Sequence, residues 1–241
     1  MARFHLPASE WQSASLTGDE ARHLSQVLRI KPGETITVFD GMGQRAKAEV
    51  LTVSRDLVSL KLGEPESPPI PLPEITLAQA IPKGKNMDLI VQKAVELGIA
   101  RIQPLVTKNT IVQPGEGKSD KWRRNALEAC KQCGQDTFPK IADPLPFDRW
   151  IASLTESIDL KIIASLAPGA LPLRETLHRH PGTTAATLLV GPEGDFTAQE
   201  VDAAIAAGFH PVSLGSIILR VETATLYCLS ALRYEFSACQ S

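Results

Sequence analysis

The chain is poor in the residues that define several large protein classes. Of its 241 residues, four are cysteine (Cys130, Cys133, Cys228 and Cys239) and 5% are aromatic. A disulfide-built secreted scaffold needs far denser cysteine, and a structural zinc site needs about four ligands. Cys130 and Cys133 form a single C-x-x-C inside a helical pattern, without a second Cys/His pair beside it. Two reduced thiols and no metal are therefore expected. No apolar run approaches membrane-spanning length, and the opening MARFHLPASEW lacks the apolar core of a signal peptide. A cytoplasmic protein is expected, with no membrane partner.

What is present is 43% hydrophobic and 22% charged residues, a globular composition. The net charge of −2 argues by itself against a nucleic-acid partner, but its distribution does not. Residues 83–131 hold ten Lys/Arg against five Asp/Glu, and residues 132–241 hold seven against twelve. A basic middle and an acidic end leave open a surface on which a polyanion docks, beside the ordinary reading of solvated charge.

Five prolines in GEPESPPIPLPE, Gly63 to Glu74, mark a stiff linker, because proline fixes the backbone and removes a ladder donor. It separates an expected domain over residues 1–68 from one over 73–241. Before it, TITVFD, RAKAEVLTVS and LVSLKL read as three short strands. TGDEARHLSQVLRI reads as a helix opened by a Thr17–Glu20 capping box, with Ala21, Leu24, Val27 and Leu28 on its apolar face. After the linker, strand and helix alternate: ITLAQAI, NMDLIVQKAVELG, RIQPLV, SDKWRRNALEACKQCG, LKIIASL, LPLRETLHRH, TLLVG, TAQEVDAAIAAG, PVSLG and ETATLYCLSALRYEF. That order predicts an α/β domain with a mainly parallel sheet covered on both faces.

Such sheets bind ligands beyond the carboxyl ends of their strands. Two glycine-bearing corners are expected there. In LLVGPEGDFTAQE, Gly191 and Gly194 allow sharp turning and close backbone approach, and Thr197–Glu200 is a capping box for the next helix. In LGSIILRVETATLY, Gly215 ends a strand and an apolar loop follows. Neither corner is a Walker or dinucleotide glycine cradle. The apolar second loop suits a flat, mostly uncharged group such as adenine.

At these residues the chain resembles the bacterial 16S ribosomal RNA uridine-N3 methyltransferases, members of the SPOUT-type knotted methyltransferases. GPEGDF and LGSIILRVETA look like that family's two signature loops. GDEARHLSQVLRIKPGE, VFDG, KGKNMDLIVQKAVELGIARIQPL and EACKQCG extend the likeness over nearly the whole chain. The resemblance implies a small PUA-like β-barrel for RNA docking, followed by an α/β domain with a deep trefoil knot. It implies S-adenosylmethionine as cofactor, 16S rRNA in the small ribosomal subunit as partner, and a homodimer. The apolar last helix, Ala224 to Leu232, agrees with burial on more than one side.

The cofactor residues implied are Ala164, Ser165, Leu166, Gly191, Pro192, Glu193, Gly194, Leu214, Gly215, Ile218, Leu219, Thr223 and Ala224. Arg220 is the catalytic candidate, a cation placed to face charge developing on the uracil oxygens; a salt bridge to Glu222 or Glu193 is its ordinary alternative. Arg22 and Arg29, seven apart on one helix, with Lys83, Lys85, Lys121, Arg123 and Arg124, are the RNA-contact candidates. Three positions depart from the family's pattern: Asn109, Gln135 and Ile217 stand where arginines are usual. These departures bear on how RNA is held. A knotted methyltransferase for another RNA such as tRNA, or a non-catalytic assembly factor, are the rival readings.

Overall fold

The computed structural model describes residues 2–237 except 71, 113, 114, 116, 156–158 and 168; Cys239 lies outside them. The chain divides into two units, Met1–Ile70 with Cys130–Phe138, and Pro71–Ala129 with Pro139–Ser241.

The first unit contains β1 (Arg3–His5), β2 (Ser15–Thr17), α1 (Gly18–Arg22), β3 (Thr35–Phe39), β4 (Arg45–Val53) and β5 (Leu57–Leu62). The strands pair in the order β1-β3-β4-β5-β2, with β1–β3 parallel and the other ladders antiparallel. Alternation along β4 buries Ala46, Ala48 and Val50 while Lys47, Glu49 and Leu51 face out. They join Phe4, Leu16, Ile36, Val38 and Val58 in one core.

The first helix departs from its sequence reading. The Thr17 side chain makes no capping bond. The Glu20 carboxylate is instead drawn to Lys131 at 2.7 Å, so no capping box forms. After Arg22 the helix widens into π-helical turns over His23–Leu28, and Arg29 closes it in the left-handed region at φ +51°. Each wide turn takes an extra residue, which rotates Val27 and Leu28 off the buried face. They are 69% and 45% exposed. For the same reason Arg22 and Arg29 do not share a helix face. Asp136 also finds a local role: its carboxylate pairs with Arg3, and with Arg45 at 3.6 Å, while the neighbouring Gln135 carbonyl accepts from Arg3 at 3.4 Å.

The second unit contains β6 (Glu74–Ala80), α2 (Asn86–Glu96), β7 (Arg101–Val106), α3 (Lys118–Cys133, its last residues counted with the first unit), β8 (Lys140–Ile141), β9 (Leu145–Pro146), α4 (Phe147–Ala152), β10 (Leu160–Ala164), β11 (Leu171–Pro172), α5 (Leu173–His178), β12 (Ala185–Val190), α6 (Ala198–Ala206), β13 (His210–Ser213) and α7 (Val221–Phe236). The strand order is β11-β13-β10-β12-β6-β7-β8, with β9 beside β7, and every ladder is parallel. The short strands and α4 lie in stretches too brief for a periodicity to register. β12 buries five of its six residues, as expected for a strand covered on both faces.

The last helix packs one face only within the chain. Val221, Thr225, Cys228, Leu229 and Leu232 are buried, while Tyr227 and Tyr234 are 51% and 90% exposed. The Thr225 hydroxyl donates to Gln79 Oε1 at 2.7 Å, a fully buried polar link from α7 to the central strand β6. Arg233 donates to the carbonyls of Leu97 and Pro73, both at 2.8 Å, and of Gly98, tying the far end of the helix to the turn after α2 and the residue before β6. The Cys130 thiol is pushed up to about 12, chiefly by burial, which keeps it protonated and unreactive.

Candidate functional site

All strands of the second sheet run the same way, so their carboxyl ends share one edge. Chain order reverses there: β6 is followed by β7 on one side, while β12 and β10 lie on the other. Ligand clefts form at such reversals because the loops on either side diverge. The loops after β10, β12 and β13 enclose a cleft of about 450 Å³ here.

Twelve residues chosen from the sequence line this cleft: Ala164, Ser165 and Leu166 after β10; Gly191, Pro192 and Glu193 after β12; Leu214, Gly215, Ile218, Leu219, Arg220 and Ala224 around and after the β13 loop. Gly194 and Thr223 are not among its lining. Asn86, Asp195, Ile217 and Glu222 are; Ile217 and Glu222 lie within the expected Leu214–Ala224 loop but were not named as cofactor residues, and Asn86 and Asp195 were not expected.

The loops are shaped by short, specific contacts. Gly215 adopts φ +117°, a region that side chains strain to enter. Asp195, at φ +56°, is stabilised by its own carboxylate accepting the Phe196 amide at 2.8 Å. Glu200 is buried and completes the Thr197 capping box. Its second oxygen accepts the Lys108 amide at 2.9 Å, so the loop after β7 is tied to the start of α6. Beside it, the Asn109 side-chain amide donates to the carbonyls of Gly194 and Asp195, each at 3.0 Å. Asn109 therefore holds the β12 loop. A Cβ on Gly194 would stand 3.2 Å from that of Asn109, so a side chain here presses on the clamp, and Gly194 itself does not line the cleft.

Arg220 caps α7, is exposed, and lines the cleft wall. Among the described residues its guanidinium has no ion pair. The two carboxylates that sequence offered it are engaged elsewhere. Glu193 accepts the Lys83 amide at 2.9 Å, and Glu222 accepts the Asn86 side-chain amide at 3.1 Å. One unpaired cation thus stands among three lining carboxylates, Glu193, Asp195 and Glu222. Leu166, Ile217 and Ile218 project beside it, 65%, 75% and 77% exposed. Such a wall can take a ligand that is apolar along one side and positively charged at one centre.

The basic candidates separate into two groups. Arg22 is paired with Asp56 at 2.7 Å, a hydrogen bond that holds its guanidinium above the ordinary range. Lys121 pairs with Asp88, and Arg123 with Asp120 and Asp143, both at 2.8 Å. Arg29, Lys83, Lys85 and Arg124 are exposed and have no ion pair among the described residues. Lys83 and Lys85 lie in the loop after β6 that leads to Asn86, beside the cleft.

Against known proteins, an RNA methyltransferase domain family matches residues 68–233, and an RNA methyltransferase PUA domain matches residues 16–63. The chain is 33% identical over 218 residues to ribosomal RNA small subunit methyltransferase E of Synechocystis, covering 90% of this chain and 72% of that protein. The chain belongs to the small subunit methyltransferase E family. The Bacillus subtilis member is 30% identical over 231 residues, 92% of this chain and 90% of that one. Among solved structures, methyltransferase E of Neisseria gonorrhoeae bound to S-adenosyl methionine superposes with a TM-score of 0.85 at 33% identity, covering 97% of each chain. Family membership makes this an RNA methyltransferase with a PUA domain at its N-terminus. No helix among the described residues is long and apolar enough to cross a membrane. No group of three or more His, Cys, Asp or Glu among them could hold a metal.

Proposed function

We propose that the protein transfers a methyl group from S-adenosylmethionine to N3 of one uridine in the decoding region of 16S rRNA, in the small ribosomal subunit. The observation that carries this reading is the cleft at the carboxyl ends of β10, β12 and β13, with the unpaired Arg220 on its wall. The cleft suits the cofactor on its own chemistry: apolar loops for the adenosine, glycine corners that let the backbone approach closely, and three carboxylates for the cationic centre. Bound there, S-adenosylmethionine supplies an electrophilic methyl group.

The chain's own residues do the rest. Uracil N3 carries a proton, and its loss to solvent water spreads negative charge onto the ring oxygens. Arg220 is placed to stabilise that charge, and its planar fork can reach two oxygens or one oxygen and a phosphate. Glu193 holds the loop after β6 through the Lys83 amide, and Glu222 fixes Asn86, so both carboxylates order the walls. Positioning then provides much of the rate, since a base held in line needs little further reorganisation.

The rest of the reading extends this. The protein acts in the cytoplasm as a homodimer, its knotted SPOUT-type domain carrying the cofactor and the PUA-like domain holding RNA. The exposed tyrosines of α7 support the dimer. The knot is proposed from the resemblance of the loops at Gly191–Gly194 and Leu214–Ala224 to the signature loops of the SPOUT-type family. Incubation with labelled cofactor and small ribosomal subunits from a strain lacking the gene, followed by mapping of modified uridines, tests the assignment. Labelling of transfer RNA alone, or cofactor-independent association with subunits, would replace it.

A further inference from the structure

Lys85 and Asn86 are adjacent in sequence yet line two different cavities. Asn86 faces the candidate cofactor cleft; Lys85 faces a second, smaller cavity of about 150 Å³ between the starts of α2 and α3. Its floor includes Met87 and Trp122, each 3% exposed, and its mouth carries Lys85, Lys118, Lys121 and Asp88. Asp88 is committed to Lys121. Lys85 and Lys118 have no ion pair among the described residues, so two cations without an ion pair border one small cavity. Like charges so gathered repel and create a local positive potential that an anion relieves. The first turns of two helices add their positive ends to it.

We propose that this cavity receives a backbone phosphate of the substrate RNA, next to the nucleotide whose base enters the cofactor cleft. The inference rests on the RNA-methylation reading above. A base must leave its stack to reach a buried methyl donor, and it can be held out only if the flanking backbone is gripped nearby. Gly84 and Lys85 border one cavity and the adjoining Asn86 the other, so a strand crossing this stretch can fill both. Lys85 and Lys118 are the contacts, each neutralising charge on the strand; Lys121 contributes less because Asp88 already balances it.

The test uses the full-length protein, small ribosomal subunits as substrate, and the double variant Lys85→Ala/Lys118→Ala beside Lys118→Arg. Calorimetry with S-adenosylmethionine reports on folding and on the cofactor cleft. The double variant should keep its cofactor affinity while its KM for subunits rises roughly tenfold. Plotted against salt, its RNA affinity should lose about 1.4 from the log–log slope, at about 0.7 per single-strand phosphate contact. Lys118→Arg should stay near wild type. A wild type that methylates subunits, with a double variant of unchanged KM and slope, would overturn the phosphate site alone. A wild type that methylates no RNA would overturn the reading beneath it. Saturable binding of inorganic phosphate with an unchanged RNA KM would assign the cavity to a free anion and overturn the proposal.

Discussion

The side-chain amide of Asn109 spans the carbonyls of Gly194 and Asp195, 3.0 Å from each, and so clamps the loop that follows β12. Asn109→Asp removes the donor and sets a carboxylate against two carbonyl oxygens. Two net hydrogen bonds of about 1 kcal/mol each are lost, so S-adenosylmethionine affinity should weaken by about tenfold or more. Gly194→Ala, which presses on the Asn109 Cβ, should do the same. Calorimetry on variants with unaltered circular dichroism measures both, and affinity within twofold of wild type would show that the clamp does not shape the cleft.

Arg220 is predicted to act on the rate. Arg220→Ala should leave cofactor affinity nearly intact and slow single-turnover methylation of small subunits by roughly 100-fold, the scale of losing one transition-state donor. Arg220→Lys should restore part of it. Glu222→Gln should not copy the loss, because Glu222 is bonded to Asn86 and not to Arg220. A normal rate for Arg220→Ala at saturating RNA and cofactor would remove it from the reaction.

For the dimer, α7 offers a specific handle. Leu229 is 1% exposed within the single chain, so a charge there would damage folding and say nothing about assembly. Tyr227 and Tyr234 point outward. Tyr227→Glu/Tyr234→Glu should yield a folded monomer by sedimentation with cooperative melting intact. A wild type that sediments as a monomer at micromolar concentration would end the proposal.

His210 gives a pH signature. Partial burial, and then the neighbouring His180 ring with centroids 4.9 Å apart, hold its imidazole below the usual value. A histidine depressed in the folded state binds its proton more readily when unfolded. Its contribution to stability is therefore complete above the unfolded value near pH 6.5 and is lost as the pH falls below it. Tm should decline from about pH 7 to pH 5 less steeply in His210→Gln than in wild type. Parallel curves would remove this pair as a source of acid sensitivity.

Sequence by itself determined the alternation of strand and helix after residue 73, the three central strands of the first unit, the Thr197–Glu200 cap and the two glycine corners. These are written locally, in period, capping pairs and turn residues. It also named most of the cleft lining, because motif and resemblance fall on the same loops. It read the first helix too regularly, since a π-turn depends on what the helix packs against and not on its own spacing. It assigned residues 130–138 by position, whereas Asp136 folds with Arg3 and Arg45, more than ninety residues upstream. It read Asn109 as a lost cation, whereas tertiary structure makes it a clamp. Which cations stay free was likewise decided in three dimensions: Arg22 and Lys121 meet carboxylates brought from distant or neighbouring elements, while Arg220 and Lys85 do not. Charge is a property of a residue, but its neutralisation is a property of the fold, and only the folded chain sets the distances on which it depends.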